Sequence, residues 1–559
     1  MTDASRTPTP VDTIADAWVD TLAELAPTLA TYIGRNEHND RFGDYSPEGA
    51  DRMAEAARRA LTALEAADPV DDIDRVTQED LSRELRLDLA VHEAGWHLRD
   101  VNVIASPAQD IRAVFDLMPT DTSDDWKVIS TRLSALPDAV DGYIATLREG
   151  ISRGVVPARR QVSEVATQIG RYTADTGFFA EFAGGAAPAE GQLPASLARE
   201  LSDNANAARV AYDRLAGFLQ RELAPAAGEE DAVGREHYAL QSQRFLGAVI
   251  DLDETYEWGV EELARMVAEQ ESIADEIKAG ASVEEAVGFL ESDPARRLHG
   301  TEALQEWMQR TSDRAIEELG RTHFDIPEPI RRLECMIAPT QEGGIYYTGP
   351  TDDFSRPGRM WWSVPEGVTE FDAWRELTTV YHEGVPGHHL QIAQAVYNRG
   401  ELNSWRRLLA GTSGHAEGWA LYAERLMEQL GFLDDPADRL GMLDGQRMRA
   451  ARVVLDIGVH LKKPRPDGQG NWDADYALQF MRRNVNMSDE FVRFEVNRYL
   501  GWPGQAPSYK VGQRIWEQAR DDYAAARGDA FSIKEFHKKA LDIGGVGLDT
   551  LRTALERAV

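Results

Sequence analysis

A mainly α-helical chain in two lobes, with one small β element around residues 333–365, is what the sequence predicts, and three observations predict it. Apolar residues recur at intervals of three and four through most of residues 10–330, the period of helices with one buried face. From 333 to 365 that period gives way to short apolar and aromatic runs closed by Pro and Gly, the pattern of a small sheet or hairpin. The length, 559 residues, exceeds what one core usually organises. The division expected is a helical lobe over 1–330 and a second lobe over 331–559, packed together as one unit.

Taken in order, residues 11–33 (VDTIADAWVDTLAELAPTLATYI), 51–67 and 124–151 show the helical spacing most clearly. Breaks fall on turn formers at 40–49, 184–194, 224–234 and 291–300, and no fixed-period repeat is present. The stretch VHEAGWH places His97 five residues after His92, with Glu93 between. Nothing there bends the chain to bring the histidines together and no third ligand follows, so a structural helix is expected. The strand-like runs LECMIAP, GGIYYTGP and DFSRPGRMWWSVP come next. Helix resumes near Thr369, with Asp372 placed for a capping box and Phe371, Trp374, Leu377 and Tyr381 on one face.

Sixty Lys and Arg against 95 Asp and Glu give a formal net charge of −35. That argues against nucleic acid or an anionic membrane as partner, since both need basic surface. No run approaches the length of uninterrupted apolar residues that spans a bilayer, and the start MTDASRTPTPVDTIADAW lacks the basic beginning and apolar middle of a secretory signal. The cytoplasm is therefore the default expectation, and the single cysteine, Cys335, excludes internal disulfides and agrees with a reducing compartment. The thiol itself is expected to be a small buried hydrophobe.

The chemistry concentrates in Tyr381–Gln391, YHEGVPGHHLQ, which holds three of the twelve histidines. A helix bearing H-E-x-x-H sets two imidazoles on one face for zinc, with the glutamate acting on the attacking water. Here the spacing differs. On a straight helix His388 would lie about 240° round and about 9 Å along from His382, and His389 about 10.5 Å along, so neither could share an ion with it. Pro386 removes the obstacle, because it has no N–H to donate and its ring clashes with the carbonyl four residues back, that of His382. With two residues looped out, His388 takes the place of the i+4 partner; with three, His389 does. The smaller excursion leaves fewer backbone groups unbonded and puts Gly387, which tolerates close approach, directly before the ligand. His382 and His388 are thus the expected zinc ligands, and His389 a neighbour that meets a ligand or the substrate.

A hydrolytic zinc site usually takes three protein ligands and leaves one position open. The third is expected in SGHAEGWALYAERLMEQLG, residues 413–431, where Glu417 and Glu424 stand two turns apart on one face of a helix that ends at Gly431. Glu417 is assigned to the metal, and Glu424, about 10 Å along, to orienting a ligand histidine.

The pairing of HEGVPGHHLQ with EGWALYAE resembles the bacterial domain-of-unknown-function 885 family, whose members share H-E-x-x-P-G-H-H-L-Q and E-G-W-A-L-Y-x-E. The resemblance runs on through NVIASP (102–107), LREGISRGVVPARR (147–160), YYTGP, SRPGR, VVLDIGVH (453–460) and WPGQAPSYKVG (502–512). More remotely, the metal helices are similar to those of the carboxypeptidase Taq and thimet oligopeptidase families. The resemblance implies a zinc peptidase with a mostly helical, two-lobed fold and a deep cleft. Carried over by position, it makes His382, His388 and Glu417 the ligands and Glu383 the general base. The chemistry agrees, since zinc polarises a carbonyl and acidifies water while an adjacent glutamate moves the proton.

The oxyanion of acyl transfer needs a donor besides the metal. Tyr509 in WPGQAPSYKVG is the first candidate, with Gln505 and Lys510 as substrate contacts beside it. His460 is the second, with Asp456 at i−4 to orient it. Arg356 of SRPGR suits a peptide carboxylate by its bidentate fork. Tyr346 and Tyr347, after a Gly-Gly turn, would line the cleft as a strand that pairs with substrate backbone. The expected activity is zinc-dependent hydrolysis of peptide bonds in short peptides, of oligopeptidase or carboxypeptidase type. The alternatives are a zinc amidase or esterase on a non-peptide substrate, because the same ligands serve any acyl hydrolysis, and a metal-free relative that only binds peptides.

Overall fold

The helical period of the first half is realised segment by segment. The computed structural model, which describes residues 6–189, 191–339 and 344–559, has helices at Pro10–Leu25, Pro27–Tyr32, Pro47–Glu65 and Ser123–Arg153. Residues 11–33 form two helices because Pro27 cannot donate to the ladder of the first. The starts are set by side chains that accept from the first free N–H groups: Thr9 and Thr122 in reciprocal capping boxes, Ser46 from Gly49. The turn segment 184–194 includes Glu190, and the opening run includes residues 1–5, which lie outside the described residues. His92 and His97 stack ring on ring at 4.6 Å near the end of helix Asp72–Glu93, with His92 Nε2 3.2 Å from Asp51.

Five short strands follow among the described residues: β1 (Arg297–His299), β2 (Leu333–Ile337), β3 (Ile345–Thr348), β4 (Gly358–Trp362) and β5 (Glu370–Asp372). The element expected at 333–365 is a three-stranded sheet of order β2-β4-β3, with β2 parallel and β3 antiparallel to β4. Of the Gly-Gly turn ahead of β3, Gly343 lies outside the described residues. The β1–β5 pair, antiparallel with Leu298 opposite Phe371, was not expected. It delays the next helix to Ala373, and Asp372, at the N-cap, makes no side-chain cap bond; it faces Arg297 at 3.5 Å instead. Cys335 is buried on β2, where burial pushes its thiol up to about 11.

Buried side chains gather in three clusters among the described residues. One is confined to Val101–Ala227, and a small one joins the first helices to Trp405. The largest runs from Tyr238 to Leu555 and takes in Val76. The boundary expected at 330/331 falls inside it, since Ile330 and Leu333 share that core. Its axis is helix Pro436–His460, which is buried on all sides over Ala450–His460 and is therefore enclosed by other helices. Helix Leu252–Ile277 lies against it, Gly259 allowing approach to Val453. No helix among the described residues is long and apolar enough to cross a membrane.

Candidate metal centre

Helix Ala373–Glu383 stops at its last acidic residue, and helix His388–Tyr397 begins after Gly384–Gly387. The break expected at Pro386 is a full interruption. Gly387 N–H donates to the Tyr381 carbonyl at 3.1 Å and His389 N–H to that of Gly384 at 3.2 Å. A Cβ on Gly387 would stand 1.9 Å from the His382 carbonyl oxygen, which leaves glycine as the residue that fits. The Trp419 indole donates to the Pro386 carbonyl at 2.8 Å and ties the loop to helix Ser413–Gln429.

This interruption sets the His388 ring perpendicular to that of His382, with centroids 4.9 Å apart. Ligand atoms of His382, Glu383 and His388 all lie within 4.8 Å of one another, the one group of three or more His, Cys, Asp or Glu so arranged among the described residues. Glu417 reaches the same point: its Oε2 is 3.3 Å from His382 Nε2 and 3.7 Å from His388 Nε2. Donors about 2.0–2.1 Å from one tetrahedral ion stand about 3.4 Å apart, so these spacings fit a zinc ligand set. Proximity alone would admit either glutamate as the third donor. Glu417 is the better fit, because its Oε2 is shut off from solvent with no hydrogen-bond partner and meets both imidazole Nε2 atoms.

The buried acids and imidazoles of this group act on one another's ionisation. Burial disfavours an imidazolium, yet the facing carboxylates of Glu417 and Glu424 outweigh it and lift His382 to about 10. Burial also opposes ionisation of Glu417, but His382 and His388 hold its carboxyl well below the usual range. Burial raises Glu383 against the opposing charges of His388 and His382.

Behind the ligands lies a chain of buried polar contacts. Glu424 Oε1 is 2.7 Å from His382 Nδ1, and its Oε2 accepts from Gln446 Nε2 at 3.0 Å. Gln446 Oε1 accepts from Lys510 Nζ at 2.7 Å, and that ammonium also meets Glu262 at 3.0 Å. Helix Ser508–Arg527 comes this close because glycines face one another: a Cβ on Gly418 would stand 2.4 Å from Gly512 backbone, and one on Gly512 2.3 Å from the Gly414 carbonyl. The same crossing brings Tyr509 near Glu417. Burial and the Glu417 charge raise the phenol's pKa while Arg452, Arg498 and Arg449 pull it down.

The other candidate residues lie elsewhere. His389 turns away from the group: it is buried, with Nδ1 2.9 Å from the Tyr347 hydroxyl and Nε2 2.7 Å from the Ile330 carbonyl, and burial lowers its pKa to about 4. Tyr347 is thereby occupied, and Tyr346 is exposed and stacks on Trp361. Arg356 spends its guanidinium on the carbonyls of Gly349 and Pro357. Lys510 is enclosed behind Glu424, and Gln505 accepts from Arg498 at 2.6 Å. His460 and Asp456 are not brought to the centre. They are fully buried on the helix that carries Gln446, and His460 lies about 21 Å beyond Gln446 at about 1.5 Å per residue. His460 Nε2 meets the Tyr499 carbonyl, and Asp456 accepts from Tyr238 and Gly504.

The sequence reading missed Gln446, Trp419 and Arg449. Arg449 lies close enough to Glu383 and Glu424 to act on their ionisation, but in DGQRMRAAR it looks like any arginine of a solvated helix face. Trp419 stands inside the EGWALYAE stretch, the one signal that could have drawn it out.

A family model described as "Bacterial protein of unknown function (DUF885)" matches residues 27–555. The chain belongs to this family. Two solved structures resemble the DUF885 chain along their length. A protein of Colwellia psychrerythraea, provisionally described as a lipoprotein, is 22% identical with a TM-score of 0.84, over 98% of each chain. One of Shewanella oneidensis, provisionally described as a lipoprotein of unknown function, is 16% identical with a TM-score of 0.77, over 98% of this chain and 100% of that one. What they share with it is the fold. A carboxypeptidase of Pyrococcus furiosus gives 12% identity and a TM-score of 0.43, over 99% and 96%, a likeness that establishes neither fold nor chemistry. No functionally curated protein matches.

Proposed function

We propose that this DUF885 protein is a zinc-dependent hydrolase of peptide bonds in short peptides. The observation that carries the reading is the convergence of His382, His388 and Glu417 at ligand spacing, with Glu383 alongside. Zinc, when bound, supplies the Lewis acidity that polarises a scissile carbonyl and acidifies water. Glu424, at His382 Nδ1, holds the proton on that nitrogen and leaves Nε2 for the metal. Glu383 takes the proton of the attacking water as its oxygen bonds to the carbonyl carbon, then hands it to the amine as the C–N bond breaks. Tyr509, kept protonated by its surroundings, donates to the oxygen that becomes anionic.

The restriction to short peptides rests on burial: His382 is 6% and Glu383 7% exposed, so an extended chain end can enter where a folded surface cannot. The compartment we propose is the cytoplasm, on the strength of the single buried cysteine; recovery of the native protein in a lipid-anchored fraction would overturn it. The function is tested by Glu383→Gln, which should retain zinc and lose peptide hydrolysis. Loss of zinc in that variant, or undiminished turnover, would contradict the reading, as would hydrolysis of esters with no peptide cut.

A further inference from the structure

Arg449 stands apart from the other arginines around the centre. Arg452 and Arg498 are committed: both bind Glu495, Arg452 at 2.8 Å and Arg498 at 2.9 Å to Oε2, and they also bond Tyr499 and Gln505. Arg449 makes no hydrogen bond or ion pair with any described residue, and its Nε is shut off from solvent without a partner. The guanidinium folds back along its own helix over Gly445, where a Cβ would stand 2.5 Å from Nη1. It lies 5.9 Å from the centroid of the Tyr509 ring, which Arg452 also approaches at 5.1 Å. It is near enough to Glu383 and Glu424 to lower both.

A fork of N–H donors without a partner, beside the Tyr509 ring, is the chemistry that recognises a carboxylate. Arg356, the residue expected for that task, is spent on loop carbonyls.

We infer that Arg449 is the recognition residue for a substrate carboxylate close to the scissile bond. The inference rests on the proposed peptidase reading and names its substrate class: peptides with a free carboxylate near the bond cut, at the C-terminus or on an acidic side chain. Gly445 is the positioning residue that leaves room for the guanidinium.

The test uses the zinc-loaded full chain and three peptides: N-acetyl-tetra-alanine as the free acid, the same peptide as its amide, and the amide with glutamate as its last residue. A charge-assisted bond of about 1.5–3 kcal/mol corresponds to about 10- to 100-fold, so kcat/KM for at least one carboxylate-bearing peptide should exceed that of the neutral amide by that factor. The free acid leading assigns Arg449 to the C-terminus, and the glutamyl amide leading assigns it to a side chain. Arg449→Met should collapse the ratio towards one, chiefly through KM, with Arg449→Lys in between. Equal kcat/KM for all three on the unaltered protein overturns the inference, and needs no variant to fold. If no peptide is hydrolysed, the peptidase reading fails by itself, and calorimetric binding of the same three peptides decides this inference alone. Tighter binding of a carboxylate peptide, lost in Arg449→Met, upholds it, and equal binding ends it.

Discussion

Removing Glu424 separates a supporting residue from a ligand. Its two carboxylate oxygens serve different donors, His382 Nδ1 at 2.7 Å and Gln446 Nε2 at 3.0 Å, in a place where the side chain is 2% exposed. Glu424→Ala leaves both donors without a partner, each at about 1–3 kcal/mol, and frees the His382 ring to turn away from the metal. Loss of such an outer partner costs about 10- to 100-fold in metal affinity, or about 1.4–2.8 kcal/mol. Glu424→Gln keeps an acceptor for Nδ1–H while losing the charge, so its penalty should fall below that of alanine. Zinc affinity measured by competition with a chromophoric chelator reads both variants without any reference to activity. If Glu424→Ala held zinc as tightly as the unaltered protein, His382 would not be a ligand oriented by Glu424, and the ligand set would have to be redrawn.

Four further outcomes follow from the same geometry. Glu383→Gln should lose on the order of 10² or more in kcat with zinc content intact by metal analysis; parallel loss of zinc would make Glu383 a ligand. His388→Ala should abolish zinc binding, whereas His389→Ala should keep zinc and lower thermal stability, because Tyr347 and the Ile330 carbonyl lose their buried partner; the reverse pattern contradicts the register. Gly418→Val should unfold the chain or displace helix Ser508–Arg527, since even a Cβ there meets Gly512 backbone at 2.4 Å; an unchanged melting temperature would refute that close crossing. Burial alone would raise Glu495, but the charges of Arg452 and Arg498 hold it down to about 2. A depressed carboxylate contributes stability that is full above its unfolded pKa of about 4.3 and lost as pH falls from there towards about 2. Glu495→Gln should therefore lower stability at neutral pH by about 3 kcal/mol and flatten the acid limb in denaturant melts, and an unaltered limb would contradict it.

The sequence carried the helices and the break between the histidines because both are local. Periodicity marks a buried face wherever it occurs, and Pro386 with Gly387 interrupts the ladder in a way that depends on neighbours alone. Glu417 and Glu424 were visible for the same reason, two turns apart on one helix, and they reach opposite nitrogens of His382. What the sequence could not supply was distance across the fold. Asp456 and His460 look like a catalytic pair at i and i+4, yet the helix that carries them extends past the centre. Lys510 reads as a cleft residue, but Gln446 draws it in behind Glu424. Arg356 reads as a free fork, and only the path of its own loop shows it bonded to carbonyls. Arg449 has the opposite history, since nothing in its local pattern separates it from a solvated arginine until Gly445, Tyr509 and Glu383 surround it. The strands β1 and β5 went unseen because a short strand has too few residues to show a period of two.

The central claim is metal-dependent peptide cleavage, and the most direct measurement is digestion of a mixed peptide library before and after zinc is removed with phenanthroline, read by mass spectrometry alongside metal content. About one zinc per chain is expected, with cleavage of short peptides that stops on removal and recovers when zinc is returned. Undiminished cleavage by the metal-free protein would contradict it.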